Sequence, residues 1–204
     1  MFKVVKIFAL SLIAFVFVTQ AAMAWKVAYN APLPASETDG WRIVGVYVDV
    51  PQALTVSEED RFAPSADIVW RGEPFGDRRV QVQRILEDGI KAAAGTVSGK
   101  RKVQIAVRVR SFHAVTERAR AIAPSAVHNI SFVIQVFDAK TRQPITQAEV
   151  ITADLAAYTG SAAIEADRLG QTQRVRIVDH LSKVLTGWLG QGPDMRKQFA
   201  RLGR

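Results

Sequence analysis

Lys102-Val103-Gln104-Ile105-Ala106-Val107-Arg108-Val109-Arg110-Ser111-Phe112-His113 and, beyond a loop, His128-Asn129-Ile130-Ser131-Phe132-Val133-Ile134-Gln135-Val136-Phe137-Asp138 decide the fold. In the first segment Val103, Ile105, Val107 and Val109 fall on one side, and Gln104, Arg108 and Arg110 on the other. In the second, Ile130, Phe132, Ile134 and Val136 share a side. A period of two marks strands with one buried face, so both segments read as long strands of a sheet whose apolar side needs a cover. If they pair antiparallel across a long loop, the register that sets Val109 opposite Phe132 also sets His113 opposite His128. Both imidazoles would then lie at one rim of the core-facing side.

Outward from this pair, Arg42 to Val50 is a β-branched run stopped by Pro51 and reads as the first strand, with Asp67 to Trp70 a short second one. Asp138 to Pro144 makes a turn, and Ala148 to Leu155 adds a third strand to the meander, with an alternation too blurred to assign its inner side. Asp77 is placed to cap a helix in which Val82, Ile85, Leu86, Gly89, Ile90 and Ala93 form one face, ending at Gly95. Thr172 to Leu189 is a second amphipathic helix, with Ile177, Val178, Leu181, Val184, Leu185 and Trp188 at helical spacing. The expected class is α+β: a mixed, mainly antiparallel sheet of about four to five strands with the two amphipathic helices on one face, the first helix serving as a crossover.

Met1 to Ala24 reads as a signal peptide. Lys3 and Lys6 are its basic start, Ile7 to Val18 its apolar centre, and Ala22-Met23-Ala24 a small-residue cleavage site. The apolar stretch is shorter than the roughly 20 residues of a membrane-spanning helix, which favours cleavage over a signal anchor in the inner membrane. Residues 25–40 are then an extended lead-in, 41–190 a single domain and 191–204 a basic amphipathic tail. Zero cysteines among 204 residues exclude disulfides, thiol chemistry and Cys-ligated metals. Together these features place the mature chain in the periplasm or outside the cell.

With Lys3 and Lys6 removed from the 27 Lys and Arg, a net charge of +6 remains against 19 Asp and Glu, and most of the positive charge is Arg. Guanidinium groups pair well with carboxylates and phosphates, so an acidic partner fits: anionic lipid, a cell-wall polymer or another envelope protein. Nucleic acid does not fit, because the chain carries a leader and no aromatic residues interleaved with its basic ones. Plain solubility is the competing explanation of the charge.

Three blocks carry a resemblance: Ser111-Phe112-His113-Ala114-Val115-Thr116-Glu117-Arg118-Ala119-Arg120, then His128-Asn129-Ile130-Ser131-Phe132, then Asp138-Ala139-Lys140-Thr141-Arg142 with Pro144. They resemble an uncharacterised family of bacterial envelope proteins, many of them lipoproteins, over Trp41 to about Leu189. The order of elements is loosely similar to periplasmic modules of auxiliary lipoproteins. The resemblance implies an envelope location and an α+β module, and no activity. The chain departs from that pattern in lacking a lipidation Cys after the leader and in having Arg142 where a turn Gly is usual.

His113 and His128, with Arg118 and Arg120 in the loop between them, could hold a carboxylate or phosphate, could bind a metal, or could be hydrogen-bonded rim residues that fix the loop. Two histidines without a spaced carboxylate make half a metal site, so no metal and no cofactor are expected. His180 lies four residues after Arg176 at the edge of the last helix. Ser111, Asp154 and Asp179 could be assembled with a His on paper, yet no Gly-x-Ser-x-Gly elbow or phosphate-binding glycine loop occurs. Met195, Phe199 and Leu202 with Arg196, Lys197 and Arg201 form a short basic amphipathic stretch suited to an anionic membrane or a partner. The leading expectation is an exported, non-enzymatic accessory or binding protein of the envelope, with the alternative a hydrolase or metal-dependent enzyme using the His113 and His128 rim.

Overall fold

The computed structural model describes residues 26–197, and its elements follow in chain order as β1 (Val27–Ala28), α1 (Ala35–Thr38), β2 (Trp41–Asp49), β3 (Val56–Ser57), β4 (Ile68–Val69), α2 (Arg78–Ala94), β5 (Arg101–His113), α3 (Glu117–Ile122), β6 (Ala126–Asp138), β7 (Glu149–Ala153), β8 (Leu155–Ala157), α4 (Gly160–Arg168) and α5 (Gln173–Trp188). The two alternating segments form the centre, β5 antiparallel to β6. The other edge of β5 is taken first by β2 and then by β4, both parallel to it. The far edge of β6 is shared by β7 and β8, with β1 added antiparallel to β7 and β3 parallel to β4. The class is α+β with an open, mainly antiparallel mixed sheet, as expected. The eight strands among the described residues exceed the expected four to five because β1 and β3 are two-residue ladders too short to leave a period in the sequence, and because the expected strand from Ala148 to Leu155 is two strands, β7 and β8.

Val103, Ile105, Val107, Val109, Ile130, Phe132, Ile134 and Val136 are all buried, and α2 and α5 cover them. Asp77 caps α2 by accepting the Arg79 and Val80 N–H groups at 2.9 and 3.2 Å. Thr172 caps α5 through the Val175 N–H at 3.3 Å. Gly89 sits where the two helices meet, and a Cβ there would stand 2.7 Å from the Leu181 Cβ. Gly89→Ala is therefore expected to destabilise the fold by about 1 to 3 kcal/mol despite the better helix propensity of Ala, read as a lower denaturant midpoint.

The register of β5 with β6 departs from the expected one at a bulge. Val109 faces Phe132, but Arg110 has no partner, and from there Ser111 faces Ser131 and His113 faces Asn129. One inserted residue exchanges inner and outer sides, so Phe112 is fully buried and His113 turns to the opposite face from His128. The blurred third strand is likewise two strands, β7 and β8, separated at Asp154. Both of its carboxylate oxygens accept backbone N–H groups at 3.4 Å, from Ile130 and from Lys26. Arg142 adopts φ of 59°, the left-handed conformation that explains why Gly suits that turn position.

The lead-in is built into the fold. It holds β1 and α1, buries Tyr29, and is stitched to the end of α5 by Leu33 N to Trp188 O at 2.7 Å and Thr38 Oγ1 to Leu189 O at 2.8 Å. The start of the tail docks there too, as a 3-10 turn over Met195–Lys197. Met195 packs against the core, and the Arg196 guanidinium lies 4.9 Å from the Tyr29 ring centroid, donating to Asp194 and to the Tyr29 and Asn30 carbonyls. The Tyr29 hydroxyl donates to Asp194 at 2.8 Å, and burial with that bond pushes the phenol up to about 12. Met195 and Arg196, two of the residues expected in a membrane or partner contact, are thus half-buried at the end of α5, with Arg196 held by Tyr29 and Asp194. Phe199, Arg201, Leu202 and the leader lie outside the described residues.

Candidate binding cleft

Beyond the bulge, β5 runs into Ala114 and Val115 and then Thr116, whose hydroxyl accepts the Ala119 N–H at 3.2 Å and donates to the Arg61 carbonyl at 2.6 Å. This cap starts α3, which contacts α4 and, through Ala119, joins Val115 and Ala157 in a small apolar cluster separate from the main core. Between α3, α4, the N-terminus of α5 and the loop Arg71 to Pro74 lies a cleft of about 620 Å³. Gly72, Pro74, Ala121, Ala163 and Ile164 give it an apolar lining. Phe75 and Ile122, each beside a lining residue, are exposed, and Ile164 itself is 73% exposed.

The charged groups of the cleft are paired along its walls. Arg71 Nε meets Glu117, while Arg71 Nη1 donates to the Glu58 carbonyl at 2.6 Å. Arg120 Nη1 reaches Asp167 at 2.6 Å, and its Nη2 donates to the Ala163 carbonyl at 2.9 Å, tying α3 to α4. Glu73 accepts the Trp70 indole N–H at 2.8 Å and faces Arg174 at 3.2 Å. Gln173, only 9% exposed, is the exception: its Oε1 has no hydrogen-bond partner among the described residues. A buried amide without a partner is disfavoured by about 1 to 3 kcal/mol until something supplies one.

Of the four expected ligand residues, only Arg120 lies in this cleft. Arg118 is exposed, its guanidinium 5.8 Å from the Phe62 ring and its backbone N–H donating to Asp60. His113 Nε2 contacts the Pro64 carbonyl at 2.7 Å. His128 is fully buried, its Nδ1 accepting the Val115 N–H at 3.4 Å. The bulge therefore leaves no rim site shared by His113 and His128. Among the described residues no group of three or more His, Asp or Glu is arranged to hold a metal ion. Arg71, Glu117, Asp167 and Gln173 were not legible as site residues; only the capping signal of Thr172 pointed to the helix end where Gln173 sits.

His128 finds a different neighbour in His180, which interacts with it electrostatically alongside Arg176. Arg176 stacks 3.8 Å from the Tyr158 ring centroid and donates to the Ala156 carbonyl. Burial pushes His128 down to about 3 and His180 down to about 4, so both stay neutral in the fold. Since the unfolded chain takes up those protons near pH 6.5, the stability these groups confer is complete above that pH and is lost as pH falls toward the folded values. Between pH 7 and 5.5 the pair is expected to account for a loss of about 2.5 kcal/mol, and His128→Asn to shrink it by about 1 kcal/mol, measured as denaturant midpoints against pH.

Residues 41–204 match the model of DUF6778, a family of unknown function. The chain belongs to that family. This agrees with the uncharacterised family expected from the Phe112 to Arg120 block. No curated protein matches the sequence. Among solved structures the chain is similar to a Xanthomonas campestris protein of the DUF330 family, with 15% identity, a TM-score of 0.45, and coverage of 78% of this chain and 88% of the other. It is also similar to a candidate lipoprotein of Caulobacter crescentus, at 15% identity, TM-score 0.34, and coverage of 78% and 97%. A third is a minor lipoprotein of Acinetobacter baumannii, at 11% identity, TM-score 0.30, and coverage of 72% and 92%. Likenesses of this size say nothing of ligand or activity. Among the described residues no helix is long and apolar enough to cross a membrane.

Proposed function

We propose that this family member is an exported, non-enzymatic binding or accessory protein of the bacterial cell envelope that takes a ligand in the cleft between α3, α4 and the start of α5. The observation that carries the reading is the cleft itself: a cavity of about 620 Å³ with an apolar lining, in the size range of small-ligand sites. Its carboxylates Glu73, Glu117 and Asp167 are each held by a guanidinium, which suits fixed recognition more than proton transfer. The leader and the resemblance to envelope proteins support the location. The excess of Arg on the mature chain suits an environment of anionic lipid and cell-wall polymer.

Two measurements test this. Expressed from Met1 in a Gram-negative host, the protein is expected in the osmotic-shock fluid with Trp25 as its first residue; cytosolic retention with an intact leader contradicts export. Purified from that fraction, it is expected to show a ligand adduct by native mass spectrometry. Ala121→Trp, which fills the cleft from an exposed position, removes that adduct. An adduct unaffected by this substitution contradicts the cleft as the site.

A further inference from the structure

We propose that the free edge of β2, a surface separate from the cleft, is where two copies of this chain associate, their β2 strands pairing antiparallel about a two-fold axis so that two sheets become one.

The edge follows from the pairing within the sheet. β2 runs nine residues, Trp41–Asp49, and pairs with β5 alone; among the described residues no other element bonds its backbone between Arg42 and Asp49. Successive residues of a strand turn their N–H and C=O groups to opposite edges, so one set in β2 meets β5 and the other faces outward unpaired. Natural edges are commonly blunted by lysine, proline or a covering element. Between its charged residues β2 carries Ile43-Val44-Gly45-Val46-Tyr47-Val48, with neither charge nor proline. Val44 is 47% exposed and Tyr47 59% exposed, both on this strand. The ends of the described chain lie across the sheet. Lys26 leads into β1 and the turn Met195–Lys197 contacts β1, with β7, β6 and β5 between β1 and β2.

The occupant follows from the strand read against itself. In an antiparallel pair about a two-fold axis, facing residues must share a side of the sheet, which in a regular strand matches odd positions with odd and even with even. β2 is not regular. A bulge between Ile43 and Gly45 exchanges its sides, so Trp41 and Ile43 point inward before it and Val46 and Val48 after it. The two flanks of the bulge therefore match odd with even. In that register Arg42 meets Asp49 of the second copy, Ile43 meets Val48 on the inner side, and Val44 meets Tyr47 on the outer side, each pair occurring twice. At the centre Gly45 faces Val46, an outer against an inner position, and Gly45 brings no side chain to clash.

Both charged residues can take a second partner. Arg42 uses Nε for the Gly99 carbonyl at 3.1 Å, and its Nη groups make no hydrogen bond among the described residues. Asp49 holds Arg108 only at 3.5 Å, in solvent. Opposite charges facing across strands favour the antiparallel register, whereas parallel pairing in register sets Arg42 against Arg42 and Asp49 against Asp49.

The test is sedimentation equilibrium of the chain from residue 25, from micromolar to near-millimolar concentration, where a monomer–dimer equilibrium is expected. Val44→Lys, at an exposed position, is expected to weaken the dimer about tenfold or more by setting an ammonium beside Tyr47 twice. Arg42→Asp and Asp49→Arg each oppose like charges twice and are each expected to weaken it about tenfold, while the double variant returns to within about threefold of the parent. Thermal melts of the variants establish that they fold. A chain monomeric at every concentration overturns the second copy as occupant of this edge. An oligomer indifferent to Val44→Lys overturns the edge as the contact, and a double variant as weak as the single ones overturns the antiparallel register.

Discussion

Phe132→Ala is expected to lower the unfolding free energy by about 3 to 5 kcal/mol, while Arg108→Ala on the outer side of the neighbouring strand changes it by less than about 0.5 kcal/mol. Phe132 is fully buried at the middle of the central pair, opposite Val109 on β5 and Ile151 on β7. Its ring cannot be replaced by water or by collapse of a sheet fixed on both edges, so truncation leaves a cavity. Arg108 has a side chain 67% exposed, and its ion pair with Asp49 at 3.5 Å is open to solvent. An exposed pair of that length adds little. Denaturant midpoints at one pH compare the two, and similar losses would mean that the inner and outer sides of β5 and β6 are wrongly assigned.

The second large effect is expected at Arg78, whose side chain is 4% exposed at the first turn of α2. Its Nε and Nη2 hold Glu58 with two bonds of 2.7 and 2.9 Å, and its Nη1 donates to the Glu73 and Pro74 carbonyls and to Gln81 Oε1. The Glu58 carboxyl is held below its ordinary value chiefly by that bond. Arg78→Ala removes the donor to the Glu73 carbonyl and to Gln81 Oε1, leaves Glu58 to Arg71 and water, and loses the packing of a buried guanidinium, so it is expected to cost about 2 to 3 kcal/mol. Arg78→Lys keeps the charge but not the planar fork, so it recovers little of the loss. Glu58→Gln, at a position open to water, costs about 1 kcal/mol. Because Glu73 and Pro74 form the cleft wall, Arg78→Ala also weakens any ligand held there. A loss under about 1 kcal/mol for Arg78→Ala would contradict this account of how the wall is fixed.

The long elements were legible because each repeats one period over many residues. Val103 to Val109 and Ile130 to Val136 announce a buried strand face, and Asp77, Gly95 and Thr172 mark helix ends. The bulge was not, although the break in alternation at Arg110-Ser111-Phe112 was its trace: carrying the period past Arg110 puts Phe112 in water, which the phenyl ring opposes. The short α3 and α4 escaped for a different reason: six and nine residues are too few turns to repeat a helical period, and their buried positions, Ala119, Ala163 and Ala166, carry no large apolar side chain to mark it. The cleft depends on those two helices, so its residues could not be assembled from spacing. Arg120 entered through the loop sequence, whereas Gln173 carries no signal beyond following a capping Thr. His180 stood alone in the sequence because its neighbour His128 is contributed by a strand lying under α5.

The most direct test of the cleft compares the amide spectra of the ¹⁵N-labelled protein purified from the osmotic-shock fluid with those of the same protein unfolded, stripped of small molecules and refolded. Differences are expected at residues lining the cleft, Gly72, Ala121 and Gln173 among them. Identical spectra, or differences confined to the outer sheet face around Tyr47 and Val150, would contradict a ligand held in the cleft.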